Sequence, residues 1–161
     1  MELPDFHEPH EDKIAWMIQT NGWALEAVSP QPDSEPPVPS YAYSIGLPAA
    51  VNFCDIAVFG LTPVAARGLI ELVVDACRGG TEIPLGTELL GLLDNELRCL
   101  FAPIDPDLCG TWFPIAAQWY GDEPVQMVQL IYPDRRGFLP YEYGFDQRMR
   151  FAQPLIGSVP A

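Results

Sequence analysis

The densest run of chemically capable side chains is Pro133-Asp134-Arg135-Arg136-Gly137, followed closely by Pro140-Tyr141-Glu142-Tyr143-Gly144. Carboxylates at 134 and 142 flank a tight turn and two tyrosines. Such a pair can divide acid and base work. Apolar neighbours raise one carboxyl so that it keeps a proton, and an arginine holds the other ionised. The same residues also describe a structural turn, in which Asp accepts backbone N–H groups, Gly takes positive φ and Glu pairs with Arg. That turn requires the Pro-Asp and the Gly. It does not require Glu142 or the tyrosines.

A second group is Tyr41, Tyr43 and Ser44, just before Gly46. A serine nucleophile needs a base beside it, and the strand–turn–helix elbow G-x-S-x-G is absent. The two imidazoles, His7 and His10, fall in or at the edge of an N-terminal stretch, residues 1–9, that is expected to fray. A Ser-His-Asp triad is therefore not supported, and the tyrosines read as a core-facing strand or as a stacking wall for a ligand. His7 and His10 with Glu8, Glu11 and Asp12 lack a helical pair of imidazoles, and Pro9 interrupts them, so no metal site is expected. Cys54, Cys77, Cys99 and Cys109 are 23, 22 and 10 residues apart, without a C-x-x-C, which gives zinc no support. They read as buried free thiols. Gly79-Gly80 follows an apolar helical stripe instead of opening one, so it is a helix stop and not a phosphate cradle. No cofactor is implied.

Charge narrows the partners. Against 22 acidic residues stand 8 Lys and Arg, a formal charge of −14. Such a surface repels phosphate backbones and anionic headgroups, so neither nucleic acid nor membrane is expected as a partner. Arg135, Arg136, Arg148 and Arg150 form a local positive feature near the C-terminal end. The acidic opening MELPDFHEPHED is unlike a secretory leader, and the unpaired cysteines suit a reducing compartment, so a cytoplasmic location is expected.

The elements that must position these groups follow from periodicity. Ile14, Met17 and Ile18 place a helix over 10–21, and residues 23–29 alternate as a strand. Five prolines in residues 30–39 exclude helix and central strand, leaving an internal loop. Strands are expected at 40–46, with Tyr41, Tyr43 and Ile45 on one face, and at 55–60. Thr62-Pro63 opens a helix, with Leu69, Leu72, Val73 and Ala76 as its stripe. Residues 87–93 and 96–102 read as a hairpin around Asp94-Asn95, residues 103–110 as a loop, and 111–120 as helix from Pro114. The segment 125–132 is apolar on both faces and is expected to be a central strand. The sum is an α+β single domain over 1–161: a mainly antiparallel sheet of about six strands with two or three helices.

Five blocks, taken in order, resemble a known family: Gly22-Trp23, YAYSIGL at 41–47, DIAVFGL at 55–61, QLIYPDRRGFLPYEYGF at 129–145 and QPL at 153–155. The resemblance is to the bacterial domain-of-unknown-function 4262 family and covers about residues 10–156. The chain departs from that pattern at Asn21, where members often carry His, and at Tyr132 and Tyr141, where they often carry Trp. The resemblance implies a small soluble bacterial protein and lends no substrate, cofactor or catalytic residue.

Many aromatics beside few convergent polar groups favour a domain that binds a small molecule or a partner over an enzyme. Tyr43, Trp112, Trp119, Tyr132 and Tyr141 are expected to line a concave site near Ser44, with Arg135 or Arg136, Asp134 and Glu142 at its rim. A ligand carboxylate or carbonyl would suit the arginines. One alternative is an acid/base enzyme, a hydrolase or proton-transfer catalyst, using Asp134 and Glu142 within about 9 Å of each other. Another is an immunity-type protein that meets a basic partner with its acidic surface. Monomer and homodimer both remain open.

Overall fold

Alternating side chains in Tyr41–Ile45 make a strand whose two sides enter two different cores. The computed structural model describes residues 10–93 and 97–159, and β-strands run over Ala24–Val28 (β1), Tyr41–Ile45 (β2), Asp55–Phe59 (β3), Leu89–Leu90 (β4), Arg98–Pro103 (β5) and Met127–Ile131 (β6). They form one six-stranded sheet in the order β1-β2-β3-β6-β5-β4. Every neighbouring pair is antiparallel except β3 and β6, which run parallel with Asp55 opposite Met127 and Ala57 opposite Gln129. The sheet is thus mixed, mostly antiparallel, and the α+β class stands. Both central strands, β3 and β6, are buried along their whole length, as the two-sided apolar pattern of 125–132 requires.

Five α-helices, instead of two or three, lie among the described residues: His10–Asn21 (α1), Leu47–Val51 (α2), Pro63–Arg78 (α3), Pro106–Trp112 (α4) and Pro114–Tyr120 (α5). In α3 the Thr62 hydroxyl accepts from the Ala65 N–H at 3.2 Å and proline takes the first turn. Its buried stripe is Ala66, Ile70, Val73 and Val74, so the helix is rotated slightly from the expected Leu69–Leu72–Val73–Ala76 face. The loop expected at 103–110 is half helix. Asp105 caps α4 by accepting from the Asp107 N–H at 2.9 Å, with Pro106 in the first turn, the same device as Thr62-Pro63. Helix α5 begins at Pro114 as expected. Strands β4 and β5 pair as the hairpin reading requires; its turn, Asp94-Asn95, lies outside the described residues, as do the expected frayed segment 1–9 and His7. The proline-rich loop extends the β1–β2 hairpin, with Gln31 and Val38 bridging across it.

Helix α3 covers one side of the sheet over Ala42, Ile56, Val58, Phe101, Val128 and Leu130. The other side has two covers. Side chains of α1, α4 and α5 pack on Tyr41, Tyr43, Ala57 and Phe59. The irregular chain after β6 closes over Leu100, Ala102 and Ile131 with Leu139, Tyr141 and Val159. Polar side chains anchor that tail. Gln129, fully buried in β6, accepts from Ile156 and Gly157 N–H at 3.0 Å each and donates to the Pro154 carbonyl at 2.7 Å. Among the described residues no helix is long and apolar enough to cross a membrane.

Candidate functional site

Where β6 ends, the chain must leave the sheet, and three residues fix how it does so. The Tyr132 hydroxyl donates to the Phe59 carbonyl at 2.5 Å, tying it to the end of β3. The buried Gln153 amide clasps the Tyr132 backbone from the tail, accepting from its N–H at 3.0 Å and donating to its carbonyl at 3.1 Å. Asp134 then organises the turn. One carboxylate oxygen accepts from the Arg136 and Phe138 N–H groups at 2.9 and 3.0 Å, and the other from the Asp146 N–H at 2.8 Å. Gly137 completes the turn at φ 90°, a conformation glycine adopts without strain.

These bonds hold two walls apart. Tyr132, Pro133, Asp134 and Arg135 form one, Asp146, Arg148 and Met149 the other, around an open cleft of about 480 Å³. Burial pushes the Asp134 carboxyl up, but the N–H groups of Asp146, Phe138 and Arg136 outweigh it and hold the group below the ordinary carboxylate range. Asp146 is likewise held low, chiefly by the Arg148 guanidinium, which grips it at 3.0 and 3.1 Å. Burial pushes Tyr132 up to about 12, so its phenol stays neutral. Arg135 is exposed, and its side chain makes no ion pair or hydrogen bond among the described residues.

The other residues singled out from the sequence lie elsewhere. Glu142 takes both nitrogens of Arg98, at 2.5 and 3.0 Å, and accepts from the Leu139 N–H at 2.7 Å. Its carboxyl is held low, first by Arg98. The acid/base expectation needs one raised carboxyl in the Asp134–Glu142 pair; both are lowered, and their oxygens are occupied by scaffold donors. Tyr141 donates to Glu88 at 3.0 Å in this same Arg98 cluster. Arg136 lies over the Phe138 ring at 5.8 Å instead of in the cleft.

Of the expected aromatic wall, Tyr132 lines the cleft, whereas Tyr43 is core and Trp112 and Trp119 are half-buried against it. Tyr43 is completely buried, with its ring edge-on to Phe113 at 4.9 Å and its hydroxyl accepting from the Ile115 N–H. Trp112 and Trp119 pack in the same cluster, and the Trp112 carbonyl accepts from Tyr41 at 2.6 Å. Alternation puts these tyrosines on the side that α4 and α5 cover, so they cannot open to solvent. Ser44 is also buried. It donates to Asp55 at 2.8 Å and accepts from the Ile56 N–H at 2.9 Å.

Sequence reasoning missed two groups. One is the far wall of the cleft, where Asp146 and Met149 join Arg148, which the sequence marked only as part of a positive cluster. Its signal is local: Asp146 caps a short 3₁₀ turn over Gln147–Met149 by accepting from the Arg148 N–H. The other is a buried network around Asp55, which accepts from the Ser44 hydroxyl, the Leu47 N–H and the Tyr120 hydroxyl; Tyr120 in turn accepts from the Gly46 N–H at 2.9 Å. It ties α2 and α5 to the start of β3. Burial pushes the Asp55 carboxyl up, against these donors.

All four cysteines are free, and burial pushes the Cys99 thiol up to about 11. Among the described residues no three His, Cys, Asp or Glu side chains are grouped to hold a metal ion. The family described as "Domain of unknown function (DUF4262)" matches residues 17–146. No curated protein and no solved structure matches the chain.

Proposed function

The chain belongs to the DUF4262 family, whose description carries no activity, and on that footing we propose from its own geometry that it is a binding domain for a small molecule. The ligand sits in the cleft between the Tyr132–Arg135 and Asp146–Met149 walls. One observation carries this reading: the cleft is built by buried and backbone-directed bonds, and these leave the exposed Arg135 guanidinium at its wall without a partner among the described residues. Clefts with an apolar lining and a few placed polar groups are the usual form of small-ligand sites. Here Tyr132, Pro133 and Met149 supply the lining, and the arginines supply orientation. Asp134 serves as scaffold and Glu142 belongs to the separate Arg98 cluster.

A ligand that binds only the folded state raises its stability by about 2.7 kcal/mol at a hundredfold excess over Kd. A thermal-shift screen of small molecules against the protein and its Arg135→Ala/Arg148→Ala variant reads this directly. Compounds that raise Tm of the parent and not of the variant are the expected result. Stabilisers that act equally on both overturn the assignment.

A further inference from the structure

The charge inventory of the cleft selects the kind of ligand, provided that the cleft is the binding site. Four of its lining residues are charged: Asp134, Arg135, Asp146 and Arg148. Arg148 is matched by Asp146, with its guanidinium bonded to both carboxylate oxygens. Asp134 spends its two oxygens on three backbone N–H groups, yet it keeps its negative charge in the wall. Arg135 is the one charged group of the cleft with no bonded partner among the described residues. The four charges balance, but the Arg135 donors are unmet, and a ligand with a single negative charge supplies the acceptor they lack. Arg136 acts on Asp146 only through its charge and lies over the Phe138 ring, outside the lining, so a second negative charge would find no further unpaired cation in the lining among the described residues. It would instead face the Asp134 carboxylate and the field of a chain carrying −14.

The remaining surface points the same way. Tyr132, Pro133 and Met149 present an aromatic ring, a pyrrolidine and a thioether chain, which suit an apolar body better than a polyhydroxylated one. A guanidinium offers two parallel N–H donors matched to the two oxygens of a carboxylate. We infer that the cleft takes a monocarboxylate with an apolar or aromatic body, its carboxylate on Arg135 and its body against Tyr132 and Met149. Phosphate esters and other dianions are discriminated against by the carboxylate of Asp134.

The test uses the full chain and three probes of similar shape: phenylacetate, its neutral isostere phenylacetamide, and phenyl phosphate, titrated at pH 8 where the phosphate is a dianion. Two-dimensional amide NMR follows residues 132–135 and 146–149. Phenylacetate is expected to bind at least tenfold more tightly than phenylacetamide and no more weakly than phenyl phosphate. Arg135→Gln, at an exposed position, should remove the preference for the acid over the amide. Equal binding of acid and amide, or a tenfold preference for phenyl phosphate, overturns the ligand class while the shifts in these two segments keep the cleft as a binding site. Shifts from all three probes confined to other segments, or none at all, overturn the cleft reading together with the ligand class.

Discussion

Replacing Asp134 by asparagine should loosen the cleft and expose how much of the fold it anchors. Asparagine keeps one oxygen that can still serve the Arg136 and Phe138 N–H groups. It turns an NH₂ group toward the Asp146 N–H, which the carboxylate now receives at 2.8 Å. One bond to a charged acceptor is lost, worth about 1.5–3 kcal/mol, and two donors are left facing each other. The remaining two bonds lose their charge assistance. A fall in unfolding free energy of about 3 kcal/mol is expected, a large fraction of the roughly 5–15 kcal/mol of an ordinary domain. Denaturant titration should show a lower midpoint with an unchanged slope. The pH dependence gives a second check. The folded carboxyl titrates below its usual 3.8, so its stabilisation is full above the unfolded value and is lost as pH falls through the folded one. The gap between parent and variant should therefore be widest near neutrality and shrink below about pH 4. An asparagine variant as stable as the parent at pH 7 would refute the reasoning, as would a gap that grows on acidification.

Two further substitutions probe the supports of the site. Gln129→Leu leaves two N–H groups and the Pro154 carbonyl without their partner. A loss of about 2–4 kcal/mol is expected, and hydrogen exchange should speed up selectively at Ile156 and Gly157. Gly60→Ala places a methyl group 2.6 Å from the Ala152 carbonyl oxygen and 3.0 Å from the Tyr132 hydroxyl, at a φ of +83°. Left-handed strain of about 1–2 kcal/mol adds to that clash, and Tm should drop by about 5 °C or more.

Much of the sheet was legible because burial imposes its own period. Tyr41, Tyr43 and Ile45 alternate with Ala42 since one set meets α1, α4 and α5 and the other meets α3. The two-sided apolar run near 125–132 is central for the same reason. Helix α4 escaped because a seven-residue helix with Gly110 inside leaves almost no stripe, although Asp105-Pro106 carried the capping signal. Helix α2 is five residues long and too short for any period.

The site was legible only where it is local. Tyr132, Pro133, Asp134 and Arg135 are contiguous, and the turn chemistry of Pro-Asp-x-x-Gly places them together. The rest of the aromatic wall was misplaced because ring content says nothing about which side of a strand is covered, and Tyr43 is sealed by Phe113 and Ile115. The Asp55 network bonds residues up to 74 positions apart, so it exists only once β2, β3 and α5 are assembled. The tail shows no periodicity because its order comes from side-chain amides, Gln129 and Gln153, and not from a repeating apolar face.

Amide NMR mapping of the small molecules that stabilise the folded protein tests the central claim most directly. Their largest shifts should fall in residues 132–135 and 146–149, on both walls at once, and should be lost in Arg135→Ala/Arg148→Ala. Shifts that gather in the groove beside Ile83, Leu89 and Leu90, or that persist unchanged in the double variant, would contradict the account.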